Sequence, residues 1–174
     1  MMFLDVDGVV NAVSGTPDPQ VWPDWQTATV RNRLAAFPIL WSPSVVDRLC
    51  SWDERGLVEI FWLTTWLDDA NGEFAQTLGL PGWAVLGSDL AADPALSSSG
   101  GAWGWWKADL VHQQLDTHPG RPFVWLDDDL DAERALCDQL TADHDCLLLA
   151  PSSPVGLTPA QLDEVESWLQ ERAR

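Results

Sequence analysis

The sequence predicts an α/β protein in which a mostly parallel sheet lies between two layers of helices. Short apolar runs alternate with segments of helical periodicity through nearly all of the 174 residues, a pattern typical of parallel sheets covered on both faces. Acidic residues directly follow two of the apolar runs, and ligands of such sheets bind beyond the carboxyl ends of the strands. We expect a single domain over residues 1–174, because a chain of this length can bury roughly 70% of its unfolded surface.

The first predicted strand ends in two carboxylates, Asp5 and Asp7, which are one residue apart. Because strand side chains alternate, we expect both carboxylates to point to the same side. Two anions held this close repel each other unless a cation lies between them or one is protonated, so the pair predicts a magnesium site. Gly8 lets the chain turn where a side chain would crowd a ligand. The alternative is a solvated strand end followed by a turn.

A small flap or cap is predicted as an insertion over residues 14–41. The segment 14–24 is rich in Pro, Gly and polar residues, which is typical of a loop. Residues 25–30 and 39–41 are predicted to form two short strands, with Arg31 and Arg33 between them.

The middle of the chain predicts two helices and two strands. Ser42 is followed by a proline, which is typical of an N-cap and a first helical position, so we expect a helix over 43–54. A buried strand is predicted over 57–63, a helix over 68–78 that Gly79 closes, and a short strand over 83–86.

The second half repeats this alternation. The small, polar, glycine-rich segment 88–103 predicts a loop, and a helix is expected from about Lys107 to 115. A buried strand over 122–126 runs into three consecutive aspartates. A helix over 131–140, a strand over 146–149 and a last helix introduced by a Thr158–Gln161 capping box complete the prediction.

Charge and composition exclude several classes of protein. Net charge is −18, from 27 acidic and 9 basic residues, which argues against binding to duplex nucleic acid. The three cysteines lack the spacing of a disulfide framework or a zinc site. The start of the chain has no basic segment and no stretch is long enough to span a membrane. We therefore expect a cytoplasmic protein, with metal cations as natural partners. The oligomeric state stays open.

Three sequence motifs resemble those of a known superfamily. They are Val6-Asp7-Gly8-Val9-Val10-Asn11, Trp62-Leu63-Thr64-Thr65-Trp66 and Trp125-Leu126-Asp127-Asp128-Asp129. Together with Lys107, they follow the order of motifs in the haloacid dehalogenase (HAD) superfamily of phosphotransferases. Their sequences are most similar to those of the HAD-like domain of Swiss army knife RNA repair proteins. The resemblance covers nearly the whole chain and implies a Rossmann-like sheet with a small cap or none.

The resemblance also implies the roles of the catalytic residues. Asp5 is expected to attack phosphorus and form an aspartyl-phosphate, which divides one hard hydrolysis into two easier steps. Asp7 is expected to act as general acid and base. Thr64 is expected to donate a hydrogen bond to a phosphoryl oxygen, with Thr65 as the alternative. Lys107, the only lysine in the chain, is expected to neutralise Asp5 and the charge of the transition state.

The metal and substrate ligands are implied in the same way. Mg²⁺ takes hard oxygen ligands, and the resemblance assigns them to the carboxylates of Asp5, Asp7, Asp127 and Asp128, with Asp131 as the alternative second acidic partner. Residues expected to contact the substrate are Gly8, Asn11, Thr65, Arg31 and Arg33. The two arginines would hold a second anionic group, although solvated surface positions are an equal alternative for them.

These expectations describe a magnesium-dependent phosphatase that acts through an aspartyl-phosphate. The resemblance suggests the phosphorylated end of an RNA as substrate, whereas the negative charge suggests a small phosphorylated metabolite. A phosphotransferase with the same intermediate and a non-catalytic binding protein with the same fold are the remaining alternatives. The short segments between the motifs leave no room for a large cap, so an open site is favoured.

Overall fold

The computed structural model describes residues 1–14, 16–88 and 105–173. A five-stranded parallel sheet has the order β5-β4-β1-β6-β7. Its strands are β1 (Met2–Leu4), β4 (Ile60–Trp62), β5 (Ala84–Val85), β6 (Phe123–Leu126) and β7 (Cys146–Leu149). The first strand is therefore central, and its two neighbours come from distant parts of the chain.

Five α-helices in the described residues cover the two faces of this sheet. They are α1 (Pro43–Glu54), α2 (Glu73–Leu78), α3 (Trp106–Thr117), α4 (Arg134–Asp143) and α5 (Pro159–Arg172). Helices α1, α2 and α5 pack their apolar residues into one core cluster, and α3 and α4 pack into the other. The predicted arrangement of a parallel sheet between two helical layers is confirmed.

Both cores follow from the alternation of side chains along the strands. Met2 and Leu4 of the central strand belong to the core beneath α1, α2 and α5, whereas Phe3 belongs to the core beneath α3 and α4. Val124 and Trp125 of β6 divide between the two cores in the same way. The central strands are thus apolar on both faces, which explains their continuous apolar sequence.

The insertion after β1 contains an antiparallel hairpin of β2 (Gln26–Arg31) and β3 (Ala36–Trp41). Its second strand begins earlier than the predicted 39–41. The main-chain N–H of Ala12 donates to the carbonyl of Leu40, which joins the first loop to the edge of β3. The described part of 14–24 contains no helix or strand, as predicted.

Several predicted boundaries are wrong at the ends of the strands and helices. Two 3₁₀ helices, Leu67–Asn71 and Asp128–Ala132, precede α2 and α4, so the predicted helix 68–78 is interrupted at Gly72. The predicted strand 57–63 is a strand only over Ile60–Trp62, because its first residue belongs to the turn after α1, where the N–H of Leu57 donates to the carbonyl of Trp52. The predicted N-cap at Ser42 and the capping box at Thr158 are confirmed. The predicted loop 88–103 lies outside the described residues after Ser88. In the part of the chain that the structure describes, no helix is long and apolar enough to cross a membrane.

Candidate active site

The register of the central strands brings residues from three motifs to one edge of the sheet. Leu4 pairs with Leu126 on one side and with Trp62 on the other. The next residues, Asp5 and Asp127, therefore lie side by side where β1 and β6 end. The N–H of Asp5 donates to the carbonyl of Leu126 at 3.0 Å. This edge is where a parallel sheet binds its ligands.

Lys107 joins the two aspartates. Its Nζ lies 2.6 Å from Oδ2 of Asp5 and 2.7 Å from Oδ2 of Asp127. The Lys107 side chain is only 2% exposed, and those of Asp5 and Asp127 are 8% and 0% exposed. Position 107 is in the first turn of α3, and this places the ammonium over the ends of the strands. A buried ion pair adds little to stability, because desolvation of the charges offsets their attraction.

Burial and the mutual interactions of Asp5, Lys107 and Asp127 shift the pKa of all three groups. Burial raises the pKa of Asp5 above its usual range, against the opposing effect of Lys107. Burial also raises the pKa of Asp127 to about 7, while Lys107 lowers it and Asp5 raises it further. Burial alone would lower the pKa of Lys107, but Asp5 and Asp127 raise it above the usual value. Lys107 therefore stays protonated, and its single ammonium group faces the carboxyl groups of Asp5 and Asp127.

Asp128 completes an acidic group that has the chemistry of a cation site. One carboxylate oxygen each from Asp5, Asp127 and Asp128 lie within 4.8 Å of one another. Burial raises the pKa of Asp128, and the Ser153 side chain donates a hydrogen bond that lowers it. Three hard oxygen donors at this spacing fit a divalent ion such as Mg²⁺.

Gly8 is required by the packing of Asp128. Its φ of +74° lies in the left-handed region, which L side chains rarely adopt. A Cβ at position 8 would collide with the carboxylate of Asp128. The glycine therefore permits both the turn after β1 and the approach of Asp128 to the other two aspartates.

Asp7 lies outside this acidic group, although it is in the same loop. Its Oδ1 accepts a hydrogen bond from Nδ2 of Asn11 at 2.6 Å, and its Oδ2 accepts one from Nε1 of Trp66 at 2.8 Å. Oδ1 of Asn11 accepts the N–H of Leu40 at 2.8 Å. The loop after Leu4 is a turn rather than a strand, so the alternation that predicted a shared direction for Asp5 and Asp7 does not apply there.

Thr64 and Thr65 have different surroundings. Thr64 is fully buried, its hydroxyl oxygen accepts the N–H of Trp66 at 3.3 Å, and its interaction with Asp5 lowers the pKa of that carboxyl. Thr65 is exposed. Of the adjacent pair, Thr64 is the residue that contacts the proposed nucleophile.

Three other predicted site residues, Asp131, Arg31 and Arg33, are not members of the acidic group and have other partners. Asp131 has a 75% exposed side chain and pairs with Arg134 at 3.1 Å. The N–H of Arg31 donates to Glu73, and Nε of Arg33 lies 3.7 Å from Asp69. Both arginines are on the hairpin. Arg31 contacts the first residue of α2, and Arg33 contacts the 3₁₀ helix that precedes it.

Two tryptophans contact site carboxylates and were not predicted to do so. Besides the bond from Trp66 to Asp7, Nε1 of Trp125 donates to Oδ2 of Asp127 at 3.3 Å. The Trp125 ring stacks on Trp105 at 5.0 Å between centroids. Both tryptophans stand inside the sequence motifs, and a buried indole N–H requires a hydrogen-bond acceptor. These two facts together could have indicated that each indole donates to a carboxylate of the site.

Residues 1–162 match the model of a family described as the HAD domain in Swiss Army Knife RNA repair proteins. No curated protein and no solved structure matches the chain.

Proposed function

Since the chain belongs to the family of HAD domains in Swiss Army Knife RNA repair proteins, we propose that it is a magnesium-dependent phosphatase that acts through an aspartyl-phosphate. The sheet is the Rossmann-like core of that family, and the hairpin β2–β3 is a small insertion. The observation that carries the proposal is the buried Asp5–Lys107–Asp127 cluster beside Thr64. Such a cluster contributes little to stability, and perturbed carboxylates at a strand edge are typical of catalytic sites.

In the first step, a carboxylate oxygen of Asp5 attacks phosphorus and the bond to the leaving oxygen breaks. Asp7 donates a proton to that oxygen. In the second step, a water attacks the same phosphorus after Asp7 takes its proton, and the bond from phosphorus to Asp5 breaks. Phosphate is released and both aspartates return to their initial state. Splitting the reaction in this way replaces one difficult hydrolysis with two easier displacements.

Lys107 and Thr64 act on the same phosphoryl group. The Lys107 ammonium neutralises Asp5 before the attack and the phosphoryl oxygens during it. The Thr64 hydroxyl is already beside Asp5 and would donate to a phosphoryl oxygen. Asp5, Asp127 and Asp128 would hold Mg²⁺, whereas Asp7, whose two oxygens accept hydrogen bonds from Asn11 and Trp66, is left for the proton transfer. When bound, the ion supplies positive charge to the transferring phosphoryl group.

The direct test is hydrolysis of an aryl phosphate with Mg²⁺, and with chelator. Asp5→Asn should remove turnover almost completely, because an amide cannot form an acyl phosphate. Asp163→Asn is the matched control, since Asp163 on α5 is exposed and pairs with Arg48. Folded Asp5→Asn protein that keeps wild-type turnover would disprove the nucleophile and with it the mechanism.

The substrate proposed from the family is an RNA end that carries a phosphate. A net charge of −18 favours instead a small phosphorylated metabolite as the second candidate. An RNA substrate requires a local contact, for which Arg31 and Arg33 on the exposed hairpin are available. The two arginines would neutralise few phosphates of the RNA, so the affinity for RNA should depend only weakly on salt concentration.

The two candidates can be separated with short RNAs that carry 5′-phosphate, 3′-phosphate or cyclic phosphate, compared with small phosphate esters. For an RNA phosphatase, the double variant Arg31→Ala and Arg33→Ala should lower the ratio of kcat/KM for RNA to that for the aryl phosphate. Replacement of Arg134, which lies away from the hairpin, should leave this ratio unchanged. Failure to process any RNA end would favour the metabolite.

A further inference from the structure

A large cavity lies beside the proposed general acid. Its volume is about 900 Å³, and its lining includes Asp7, Asn11, Val13, Thr29 and Pro38. The first loop and the hairpin together form its walls. Sites for small organic ligands have volumes of about 300–1,000 Å³, so this cavity is large enough for a molecule rather than an ion.

The lining of the cavity is nearly neutral. Asp7 is the only charged side chain among the described residues that line it. Three large apolar side chains are exposed in the described part of the chain, and two of them, Val13 and Phe37, belong to the lining. Exposed apolar surface that gathers in one concave place is typical of a binding site. No described cation is present there to hold a second phosphate.

The position of the cavity identifies the part of a substrate that it would hold. The phosphoryl group is bound between Asp5, Thr64 and Lys107 in the proposed mechanism, and Asp7 protonates the leaving oxygen. Whatever is attached to that oxygen must therefore extend on the side of Asp7, which is where the cavity lies. We propose that this cavity binds the uncharged organic part of the leaving group, a moiety of nucleoside size. The inference rests on the proposed function and adds to it the class of leaving group.

The hairpin offers the contacts that such a moiety needs. Thr27 and Thr29 are two positions apart on β2, so their side chains are on one face of the hairpin and present hydroxyl groups there. Arg31 follows two positions later on the same face and is exposed. A further phosphate of a longer substrate would thus leave the neutral cavity in the direction of Arg31.

The test compares Thr29→Trp with wild type. Thr29 is exposed on a strand, where tryptophan is readily accepted, and the larger ring would fill part of the cavity. The measured quantity is the ratio of kcat/KM for adenosine monophosphate to that for acetyl phosphate, which has no ring. Thr29→Trp should lower this ratio about tenfold or more, because it removes the space for one base-sized group. Leu34→Trp is the matched control, since Leu34 is 81% exposed on the same hairpin and outside the lining.

A second variant and a binding measurement protect the test from a folding defect or a lack of turnover. Val13→Asp, at a side chain that is 53% exposed, should lower the same ratio. Calorimetry should show adenosine monophosphate binding to Asp5→Asn protein and about tenfold weaker binding when Thr29→Trp is added. Unchanged ratios in both cavity variants, or binding that Thr29→Trp does not weaken, would overturn the inference. If wild-type protein binds adenosine monophosphate but hydrolyses neither phosphate ester nor acetyl phosphate, the proposed phosphatase activity would be rejected instead.

Discussion

At the scale of single residues, hydrogen bonds fix the orientation of the Asp7 side chain. Both of its oxygens accept hydrogen bonds, from Asn11 and from Trp66. Asn11 is itself fixed by the N–H of Leu40. An acceptor held by two N–H donors is fixed in direction, which a general acid and base requires. To donate a proton, Asp7 must exchange one of these bonds for the leaving oxygen.

Trp66→Phe tests whether the indole N–H positions Asp7. The phenyl ring should keep the contacts of Trp66 with Phe37 and Phe74, at 5.7 and 5.4 Å between centroids, while the hydrogen bond is lost. We expect kcat to fall about tenfold with little change in KM, since Asp7 acts in the chemical step. Steady-state kinetics with the aryl phosphate provide both values.

The control for this variant is Trp62→Phe. Trp62 is also buried and its Nε1 donates to Asn71 at 3.0 Å, away from the carboxylates of the site. Its replacement should lower thermal stability without a selective fall in kcat. Equal kcat losses in the two variants would show that Trp66 acts only through packing.

At the scale of strands and helices, local patterns predicted which segments exist, and long-range pairing decided their ends. Short apolar runs predicted the central strands, and Ser42 and Thr158 predicted two helix starts correctly. The helix expected over 68–78 begins instead as a 3₁₀ helix and is interrupted at Gly72. No local pattern gives the strand order, because neighbours of β1 are supplied by residues near 60 and 125.

The same distinction applies to the site. Asp5, Lys107 and Asp127 were found from the order of motifs, and the register of β1 with β6 explains why two of them meet. The bond from Trp66 to Asp7 joins residues 59 positions apart. It depends on how the turn after β1 folds, and sequence periodicity contains no information on that turn.

Asp24 fixes the hairpin to the start of α1. Its carboxylate accepts hydrogen bonds from Ser42 Oγ, from Ser44 N–H and from Ser44 Oγ, at 2.7, 3.0 and 2.6 Å. Asp24→Ala should therefore lower the free energy of unfolding by about 1–2 kcal/mol, as loss of a helix cap does. Urea denaturation would measure the change. Asp18→Ala is the control, because among the described residues the Asp18 side chain accepts only a local N–H from Gln20.

The contribution of Asp24 should also depend on pH. Burial is the largest single effect and raises its pKa, but the hydrogen bonds from the side chains of Ser44 and Ser42 and the N–H of Ser44 together outweigh it and hold the pKa below its usual value. The stabilisation is then complete above the unfolded value of about 3.9 and is lost as the pH falls through the folded value. The difference between wild type and Asp24→Ala should shrink below about pH 4. A constant difference down to pH 3 would contradict the assignment.

At the scale of the whole molecule, the sheet concentrates acidic charge at one buried edge of a chain that is already strongly negative. Three carboxylates and one ammonium meet there, so positive charge is deficient until a cation binds. A ligand that binds only the folded protein stabilises it according to its concentration. The folded state should therefore be coupled to both magnesium and protons.

This coupling predicts how stability varies with pH in chelator. The folded pKa of Asp127 is raised to about 7, and its unfolded value is about 3.9. The folded protein thus binds this proton more tightly, so the contribution of Asp127 to stability is complete below about pH 4 and is lost as the pH rises through 7. The expected loss between pH 6 and 8 is about 1 kcal/mol, measured by urea denaturation at each pH.

Urea denaturation of Asp127→Asn at the same pH values separates the effect of Asp127 ionisation from the effect of repulsion between surface charges. An amide does not titrate, so the variant should lose the dependence between pH 6 and 8 that is due to position 127. Saturating Mg²⁺ should also flatten the wild-type profile, because a bound cation replaces the proton and favours the ionised carboxylate. If wild type and Asp127→Asn lose stability in parallel, the slope arises elsewhere, and the proton is not held at this edge of the sheet.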